Sequence, residues 1–303
     1  MDRVQEMSVF LAVAEQQGFS GAARRLGISA AAATRAVAAL EARIGARLLV
    51  RTTRSVRLTD AGGQFLDDCR RILGDLDSAD EMASGAQMRP RGLLTLASPV
   101  LFGQCVLNPV VLDYLDQNPL VTVRALFADR TPNLHEEAID IAVLMGEPSD
   151  SALIAVPIGR IRRVVCAAPG YLADRGTPAH PDQLAAHRIV LSTADAPTSE
   201  WRFHADEGTC AVRVQSRLTV SSNEAAIEAV RGGWGLTRAM SYQIAAQLAD
   251  GSLVSVLDDY APEALPVHLV YREGRKNSVR VRSFVDYAVA RLRGEPALGN
   301  APW

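Results

Sequence analysis

The spacing of hydrophobic residues in the first sixty positions predicts three helices followed by a β-hairpin. Apolar residues recur at helical intervals over three segments, about 2–17, 21–26 and 30–44. Gly18 ends the first helix, and Ser20 and Ser29 are suitable N-caps for the second and third. After Gly45, the segment ARLLVRTTRSVRLTDAG is typical of a strand, a polar tip and a second strand. We therefore expect a small helical unit that carries a hairpin.

The third helix has one apolar face and one face of small residues. Its apolar stripe repeats in steps of four, three and four residues: Ala33, Val37, Leu40 and Ile44. The opposite face is formed by Ala30, Ala31, Thr34, Arg35 and Ala38. Two short helices joined by a glycine turn suit the major groove of DNA, because small residues let the second helix approach the base edges. The alternative is a three-helix packing unit whose basic face is merely solvated.

The distribution of charge favours a DNA partner for this region. The first 60 residues hold nine arginines against five acidic residues, a net charge of +4. The remainder holds 23 basic and 29 acidic residues, so the whole chain carries only −2. A basic end on an acidic body is typical of a polyanion-binding segment. The expected DNA-binding residues are Ala30, Ala31, Thr34 and Arg35 on the third helix, and Arg51, Thr52, Thr53 and Arg54 at the hairpin tip, where they suit phosphate or minor-groove contacts.

The composition is that of a globular protein. Of the 303 residues, 48% are hydrophobic and 22% are charged, which excludes a disordered or collagen-like chain. The length suggests about two domains. No apolar run approaches the roughly 18 residues of a transmembrane helix, and the charged first turn is unlike a secretory signal. We therefore expect a cytoplasmic protein.

The N-terminal segment resembles the LysR-type transcriptional regulators. The resemblance covers the run FLAVAEQQGFSGAARRLGISAAAATRAVAALEARIGARLLVRTTRSVRLTDAG, in which GFSGAARRLGIS, ALEARIGARLL and RTTRSVRLTDAG match in order and spacing. It implies a winged helix-turn-helix over residues 1–60 that binds an interrupted palindromic promoter site as a dimer, within a tetramer built as a dimer of dimers. The family often has Gln, then Pro or Ser, where this chain has Ala30 and Ala31. Specificity must therefore depend on Thr34, Arg35, contacts with thymine methyl groups and DNA shape.

A long helix is expected after the hairpin, over about 61–89. Its apolar positions repeat in steps of four and three residues, as in a coiled-coil seam: Phe65, Cys69, Ile72, Leu76, Ala79 and Ala83. The alternative is an amphipathic helix packed on its own domain. A dimer is favoured, because a helix-turn-helix unit needs two copies to reach two half-sites. The LysR resemblance also implies a dimerising linker helix, and MRPRG (88–92) marks its end.

The C-terminal body alternates strands with helices, which predicts an α/β fold with mostly parallel sheets. Strands are expected over 93–98, 121–128 and 139–146, helices over 100–117 and 133–138, a second run of the same kind over about 164–265, a returning strand over 265–273, a closing helix over 279–292 and a flexible tail over 294–303. The resemblance implies a regulatory domain, 92–293, of periplasmic-binding-protein type. Its two subdomains would be about 92–162 plus 267–293, and 163–266, with a ligand cleft between them.

Two strand ends in this body suit a small-molecule effector. Ser98 and Pro99 precede one helix, Asn223 begins another, and helix N-termini offer N–H groups and positive dipole ends to a carboxylate. The segment GGWGLTR (232–238) adds an aromatic wall and a cation. The expected effector is a small organic acid held by Ser98, Pro99, Val100, Asn223, Trp234, Gly235 and Arg238. The alternative is that Ser98 and Ser222 are only helix caps and that Trp234 belongs to the core.

Catalysis and metal binding are not expected. The sequence contains no GxSxG, HExxH or Walker P-loop motif, its five histidines are scattered, and its four cysteines form no CxxC pair. We expect no cofactor. The function predicted is a ligand-responsive transcriptional regulator. The alternative is a cytoplasmic metabolite-binding protein whose N-terminal domain only dimerises.

Overall fold

The structure is a computed structural model, and it divides into two compact units centred on residues 2–84 and 89–299. The residues it describes are 2–51, 56–84, 89–130, 132–134, 137–148, 152–194, 199–205, 208–275 and 278–299. At residues 51, 71, 75, 77, 78 and 80–84 it describes the backbone alone. No helix in these ranges is both long and apolar enough to span a membrane.

The first unit contains the predicted three helices, hairpin and long helix in the predicted order. They are α1 (Arg3–Glu15), α2 (Phe19–Leu26), α3 (Ala30–Ile44), β1 (Leu49–Arg51), β2 (Val56–Leu58) and α4 (Asp60–Ser84). The two strands pair in the antiparallel sense, with Leu49 opposite Leu58. The expected winged helix-turn-helix architecture is confirmed.

The caps of α2 and α3 differ from each other. The prediction for α2 was wrong: the helix begins directly after Gly18, so Ser20 lies within its first turn and does not cap it. Ser29 does cap α3, because its hydroxyl oxygen accepts a hydrogen bond from the N–H of Ala32 at 3.1 Å. Between the helices, Gly27 adopts the left-handed φ of 65° that ends α2 and allows the tight turn.

The hairpin is fixed to α3 by one carboxylate. Glu41 on α3 accepts hydrogen bonds from the backbone N–H groups of Leu48 and Leu49 at 2.8 and 3.0 Å. Both leucine side chains are buried in the core of this unit. The position of the hairpin relative to α3 is therefore set by polar and apolar contacts together.

The second unit contains two five-stranded sheets. The first sheet has the order β4-β3-β5-β14-β6, with β3 (Gly92–Ser98), β4 (Val121–Phe127), β5 (Ile141–Met145), β6 (Leu153–Ile161) and β14 (Leu265–Arg272). The second has the order β11-β8-β12-β7-β13, with β7 (Arg163–Ala167), β8 (Ile189–Ser192), β11 (Ser216–Val220), β12 (Leu236–Met240) and β13 (Val254–Val256).

Each sheet is half parallel and half antiparallel, so the expectation of mostly parallel sheets was wrong. In the first sheet β3 runs parallel to β4 and β5, whereas β14 runs antiparallel to β5 and β6. In the second, β8 runs parallel to β11 and β12, whereas β7 runs antiparallel to β12 and β13. The chain passes directly from β6 to β7 and later returns to β14, and the strands that make these passages are the ones paired in the antiparallel sense.

The helices of the second unit mostly follow the prediction. They are α5 (Val100–Phe102), a π-helical turn (Gly103–Leu107), α6 (Asn108–Gln117), α7 (Pro169–Arg175), α8 (Asn223–Arg231), α9 (Ala245–Ala249) and α10 (Val279–Leu292). The helix expected over 133–138 is wrong. Residues 134, 137 and 138, the described part of it after Asn133, lie in turns. Ala138 has a left-handed φ of 51°, which a regular helix excludes.

Two features of the second unit were not predicted. An antiparallel hairpin is formed by β9 (Glu200–Ala205) and β10 (Gly208–Arg213). The tail was expected to be flexible, but Pro296–Leu298 forms a 3₁₀ turn and Leu298 is buried against Gly159. A side chain at position 159 would meet Leu298 at 2.6 Å, so the glycine makes room for it. Residues 300–303 of the expected tail lie outside the described residues.

Candidate functional site

The outer face of α3 presents small side chains and one arginine to solvent. Ala30, Ala31 and Arg35 are exposed, and Thr34 is half-buried. The Thr34 hydroxyl donates a hydrogen bond to the carbonyl oxygen of Ala30 at 2.9 Å. With its proton engaged, Thr34 can offer a base edge only an acceptor. Direct donation to a base from this face therefore falls to Arg35.

Several arginines of the first unit are held by the unit's own carboxylates. Arg25 pairs with Glu15 at 2.6 Å, and Arg43 pairs with Glu6 at 3.3 Å. Arg70 on α4 also lies 3.6 Å from Glu15. The exposed arginines whose guanidinium groups make no hydrogen bond or ion pair with described residues include Arg24, Arg35, Arg47 and Arg57. Of these, only Arg35 was singled out from the sequence, since a count of charges cannot show which are paired.

The predicted hairpin tip is only partly described. Arg51 ends β1 opposite Val56, and its side chain is outside the described atoms. Thr52, Thr53 and Arg54 lie outside the described residues. The strands on either side bring Arg57 to the same hairpin, where it is exposed.

The predicted seam of α4 divides into two parts, and the first part packs on its own domain. Cys69 has no exposed surface, and Phe65 packs on Phe10 with ring centroids 5.7 Å apart. Ile72 is half-buried against the same core. These three side chains pack on their own domain, which was the alternative left open. Cys69 is therefore unavailable to a partner helix, and Phe65 and Ile72 expose only part of their surface. Burial, with a smaller contribution from neighbouring Asp68, raises the pKa of the Cys69 thiol to about 12.

Leu76, in the second part of the seam, lines a groove. Leu76 is 40% exposed and Ala79 is exposed, while the side chain of Ala83 is outside the described atoms. A groove of about 490 Å³ lies among α1, α2 and α4, and Val4 and Leu26 in its lining are 38% and 37% exposed. Its apolar lining residues are Val4, Leu11, Ala12, Leu26, Leu73 and Leu76. Exposed apolar side chains gathered in one groove are typical of a protein contact.

In the second unit, the helix start after β3 is occupied by the chain's own carboxylate. The N–H of Val100 donates to the Asp129 carboxylate at 2.9 Å. Ser98 is buried, and its hydroxyl donates to the carbonyl oxygen of Pro99 at 3.1 Å. The prediction that Ser98, Pro99 and Val100 bind an anion was therefore wrong for the two donor groups described: the Ser98 hydroxyl and the Val100 N–H are already engaged within the chain. Asp129, which supplies the negative charge, came from a segment that the sequence pattern did not connect to this helix.

The helix start in the second sheet adjoins a pocket of about 40 Å³. Its lining residues are Arg163, Val190, Leu191, Ser192, Trp201, Asn223, Thr237, Arg238, Ala239 and Met240. The strand order explains the location, because the parallel strands β8 and β12 end at Ser192 and Met240 and α8 begins at Asn223 after β11. Ligands commonly bind at this carboxyl edge of α/β sheets. Asn223 and Arg238 are thus brought together as expected.

Trp234 and Gly235 do not belong to the described lining of this pocket. Trp234 is half-buried against the core, with the Arg188 guanidinium 5.8 Å from its ring centre. A side chain at Gly235 would come within 2.3 Å of the Arg188 carbonyl oxygen, so this glycine permits a close backbone approach. The alternative for the tryptophan, a packing role, is the one the structure supports.

The aromatic wall of the pocket is Trp201 instead. It is almost fully buried on β9, and the guanidinium of Arg238 lies 5.2 Å from its ring centre. Arg163 was also missed. For Trp201, the sequence did contain a signal: the alternating WRF pattern at 201–203 indicates a strand with alternate side chains buried.

Ser222 is a helix cap, as the alternative to an effector role proposed. Its hydroxyl oxygen accepts a hydrogen bond from the N–H of Ala225 at 3.3 Å.

No group of three or more His, Cys, Asp or Glu side chains that could hold a metal ion occurs in the described part of the chain.

Two family descriptions match this chain. Residues 4–63 match the bacterial regulatory helix-turn-helix protein of the lysR family, and residues 87–293 match the LysR substrate binding domain.

Curated relatives and solved structures match nearly the whole chain. It is 32% identical over 287 residues to the HTH-type transcriptional regulator PtxR of Pseudomonas aeruginosa, covering 95% of this chain and 92% of that protein. It is 30% identical to the HTH-type transcriptional regulator DmlR of Escherichia coli, with 93% and 92% covered. The structure of CrgA, a LysR-type transcriptional regulator from Neisseria meningitidis, matches with a TM-score of 0.63 at 29% identity, over 97% of this chain and all of that one.

Proposed function

Because this chain belongs to the LysR family of DNA-binding transcriptional regulators, we propose that it reads its operator with the exposed face of α3 and responds to a ligand at the carboxyl edge of the second sheet. The observation that carries the DNA-binding role is the outer face of α3. There Ala30 and Ala31 leave the backbone accessible, and Arg35 is exposed and makes no contact with a described carboxylate. Acting on chromosomal DNA would place the protein in the cytoplasm.

Base readout by this face has three components. Arg35 donates to guanine O6 and N7, the commonest specific contact of arginine in the major groove. Thr34, whose proton is engaged with Ala30, accepts from an exocyclic amine. Ala30 and Ala31 contact thymine methyl groups. Arg24, Arg47 and Arg57, with the hairpin tip at 51–54, bind phosphates and fix the register of the helix on the duplex.

The functional form proposed is a dimer, and a tetramer built from two dimers. The groove lined by Leu26, Leu73 and Leu76 supports it, since a second copy would cover apolar side chains that are exposed in one chain. Two copies would present two α3 helices to the halves of an interrupted palindrome. The dimer contact on α4 is thereby moved to Leu76 and Ala79, because Phe65 and Cys69 are packed internally.

The proposed domains are a DNA-binding domain over 1–60, a linker helix over 61–89 and a regulatory domain over 92–293. Within the last, subdomains of about 92–162 plus 267–293, and 163–266, are supported by the two separate sheets. Ligand binding would shift the population of conformers of the regulatory domain and so change DNA binding without a chemical step.

The test is salt-dependent binding of the full-length protein to DNA from upstream of its own gene. A regulator that replaces counterions on the phosphates loses affinity as salt rises, with a log–log slope of about −0.9 for each phosphate contacted. We expect a steep slope and tighter binding to the upstream fragment than to a scrambled fragment of equal length. Failure to bind either fragment would instead favour a metabolite-binding protein whose N-terminal domain only dimerises.

A further inference from the structure

We propose that the ligand of the second-sheet pocket carries a carboxylate group that Arg163 and Arg238 hold together. This inference rests on the proposed function, because it names the chemical class of the ligand to which the regulator responds. It moves the anion site away from the helix start at Val100, which Asp129 already occupies.

The two arginines lie on the same face of the second sheet. In the antiparallel pair of β7 and β12, Arg163 is opposite Met240 and Arg238 is opposite Val165. Residues directly opposite in such a pair point to the same face, and residues two apart on one strand share that face. Arg163 and Arg238 are therefore diagonal neighbours, close enough for both long side chains to reach one group.

Trp201 orients one of these guanidinium groups. The guanidinium of Arg238 lies over the indole at 5.2 Å from the ring centre. Stacking uses the face of the planar guanidinium and leaves the N–H groups at its edge directed sideways. An arginine held in this way loses less side-chain entropy when it binds a carboxylate, whose two oxygens match the fork of N–H donors.

The hydroxyl groups of the pocket differ in what they can donate. Ser192 accepts a hydrogen bond from the N–H of Ala194 at 3.2 Å, which leaves its own proton available to a ligand oxygen. Thr237 donates its proton to the Val190 carbonyl oxygen at 2.9 Å, so it can only accept. Among the described residues that line the pocket there are two arginines and no Asp or Glu. This set favours an oxyanion over a cation or a neutral amide.

The size of the pocket limits what enters it. A cavity needs at least about 10–15 Å³ of water-accessible volume to hold one water, so about 40 Å³ accommodates only a head group of a few atoms. The remainder of the ligand would lie outside the pocket. A carboxylate fits this volume, and its charge would be shared by the two arginines.

The test compares acids with their matching amides on the full-length protein. Thermal unfolding is followed with acetate, succinate and benzoate, with acetamide, succinamide and benzamide, and with inorganic phosphate, all at constant ionic strength. The dissociation constant of each stabilising compound is then measured by calorimetry for the wild type, Arg163→Gln, Arg238→Gln and Arg238→Lys. Arg217→Gln is the matched control, because Arg217 is exposed on β11 of the same sheet and is not part of the pocket lining.

We expect at least one carboxylate to bind about ten- to hundredfold more tightly than its amide, the range for a hydrogen bond to a charged group. Each Gln variant should remove that preference, Arg238→Lys should restore part of it, and Arg217→Gln should behave as the wild type. Equal binding of acids and amides, stabilisation by phosphate or amides without any carboxylate, or unchanged binding in both Gln variants would overturn the proposal. Any of those results with operator binding intact would leave the regulatory function standing.

Discussion

The backbone N–H of Val100 donates to the carboxylate of Asp129 at 2.9 Å, so the helix that follows β3 carries its own anion. Negative charge at a helix N-terminus is stabilising because it meets unpaired N–H groups and the positive end of the helix dipole. The pairing joins the carboxyl ends of β3 and β4, two parallel neighbours in the first sheet. This strand end is therefore closed by the chain's own carboxylate, whereas the carboxyl edge of the second sheet adjoins a pocket.

Substituting Asp129→Ala is expected to lower the stability of the second unit. Removal of a capping carboxylate typically costs about 0.5–2 kcal/mol, because an N–H group loses its acceptor. Urea unfolding monitored by tryptophan fluorescence measures the loss. Asp116→Ala is the control, since Asp116 is exposed on α6. Equal stability of the two variants would show that the Asp129 contact contributes nothing.

Arg35→Ala and Arg57→Ala are expected to weaken DNA binding in different ways. Loss of a bidentate base contact by Arg35 should cost about 1–3 kcal/mol on the cognate site and relax specificity at one base pair. Loss of a phosphate contact by Arg57 should weaken all sequences equally and reduce the salt slope by about 1. Fluorescence anisotropy with cognate, single-mismatch and scrambled duplexes separates the two patterns. Unchanged discrimination in Arg35→Ala would exclude that residue from base readout.

Leu76→Asp is expected to split the dimer. A carboxylate at position 76 would be desolvated when a second copy covers the groove, and the Arg25 guanidinium in the groove lining is already paired with Glu15. Light scattering should show a smaller assembly than the wild type at the same concentration. Val50→Asp is the control, because Val50 is also an exposed apolar residue of the first unit but does not line the groove. If the mass of Leu76→Asp equals that of the wild type, the groove is not the dimer contact.

The four cysteines should fall into two classes of reactivity. Cys69 and Cys166 are buried, and burial raises the pKa of each thiol to about 12. Cys105 is exposed, with its thiol pKa raised by partial desolvation and by the charge of Glu224, and Cys210 is partly exposed. Because the thiolate is the reactive form, labelling of the native protein at pH 8 should modify Cys210 first, Cys105 more slowly, and the buried pair only after unfolding. Peptide mass spectrometry identifies the labelled sites, and rapid native labelling of Cys69 would contradict its place in the core.

The raised pKa of the Cys166 thiol makes the free energy of unfolding depend on pH. The pKa of Cys166 is raised in the folded state, so the folded protein holds this proton more tightly than the unfolded chain. Its contribution to stability is complete below the ordinary thiol pKa of 9.0 and is lost as pH rises from there to about 12. Urea midpoints between pH 8 and 11 should fall less for Cys166→Val than for the wild type. An equal fall in both proteins would show that this thiol does not contribute.

The elements that the sequence predicts well are those set by local pattern. The stripe Ala33, Val37 and Leu40 is buried, and Ser29 caps α3, because helical spacing and capping act within a few residues. The β-hairpin after Gly45 is likewise a local feature. Most strands and helices of the second unit follow from the same kind of pattern, apart from the helix expected over 133–138 and the unpredicted β9–β10 hairpin.

The errors arise where a distant segment supplies the partner. Asp129 reaches the Val100 helix start from the segment after β4, and Trp201 reaches Arg238 from an unpredicted hairpin. A heptad-like repeat on α4 does not distinguish a partner helix from the helix's own domain, so Cys69 was assigned to the wrong surface. In each case residue spacing indicates which face of an element is apolar or polar, and the tertiary fold determines what that face contacts.

The most direct test of the DNA-binding function is a footprint of the full-length protein on DNA from upstream of its own gene. Two α3 helices from one dimer should protect two half-sites whose centres are about one helical turn, or a whole number of turns, apart, with an inverted repeat in the protected sequence. Arg35→Ala should lose this protection at concentrations where the wild type gives it. Protection that covers unrelated DNA equally, or a footprint that Arg35→Ala leaves unchanged, would contradict recognition through α3.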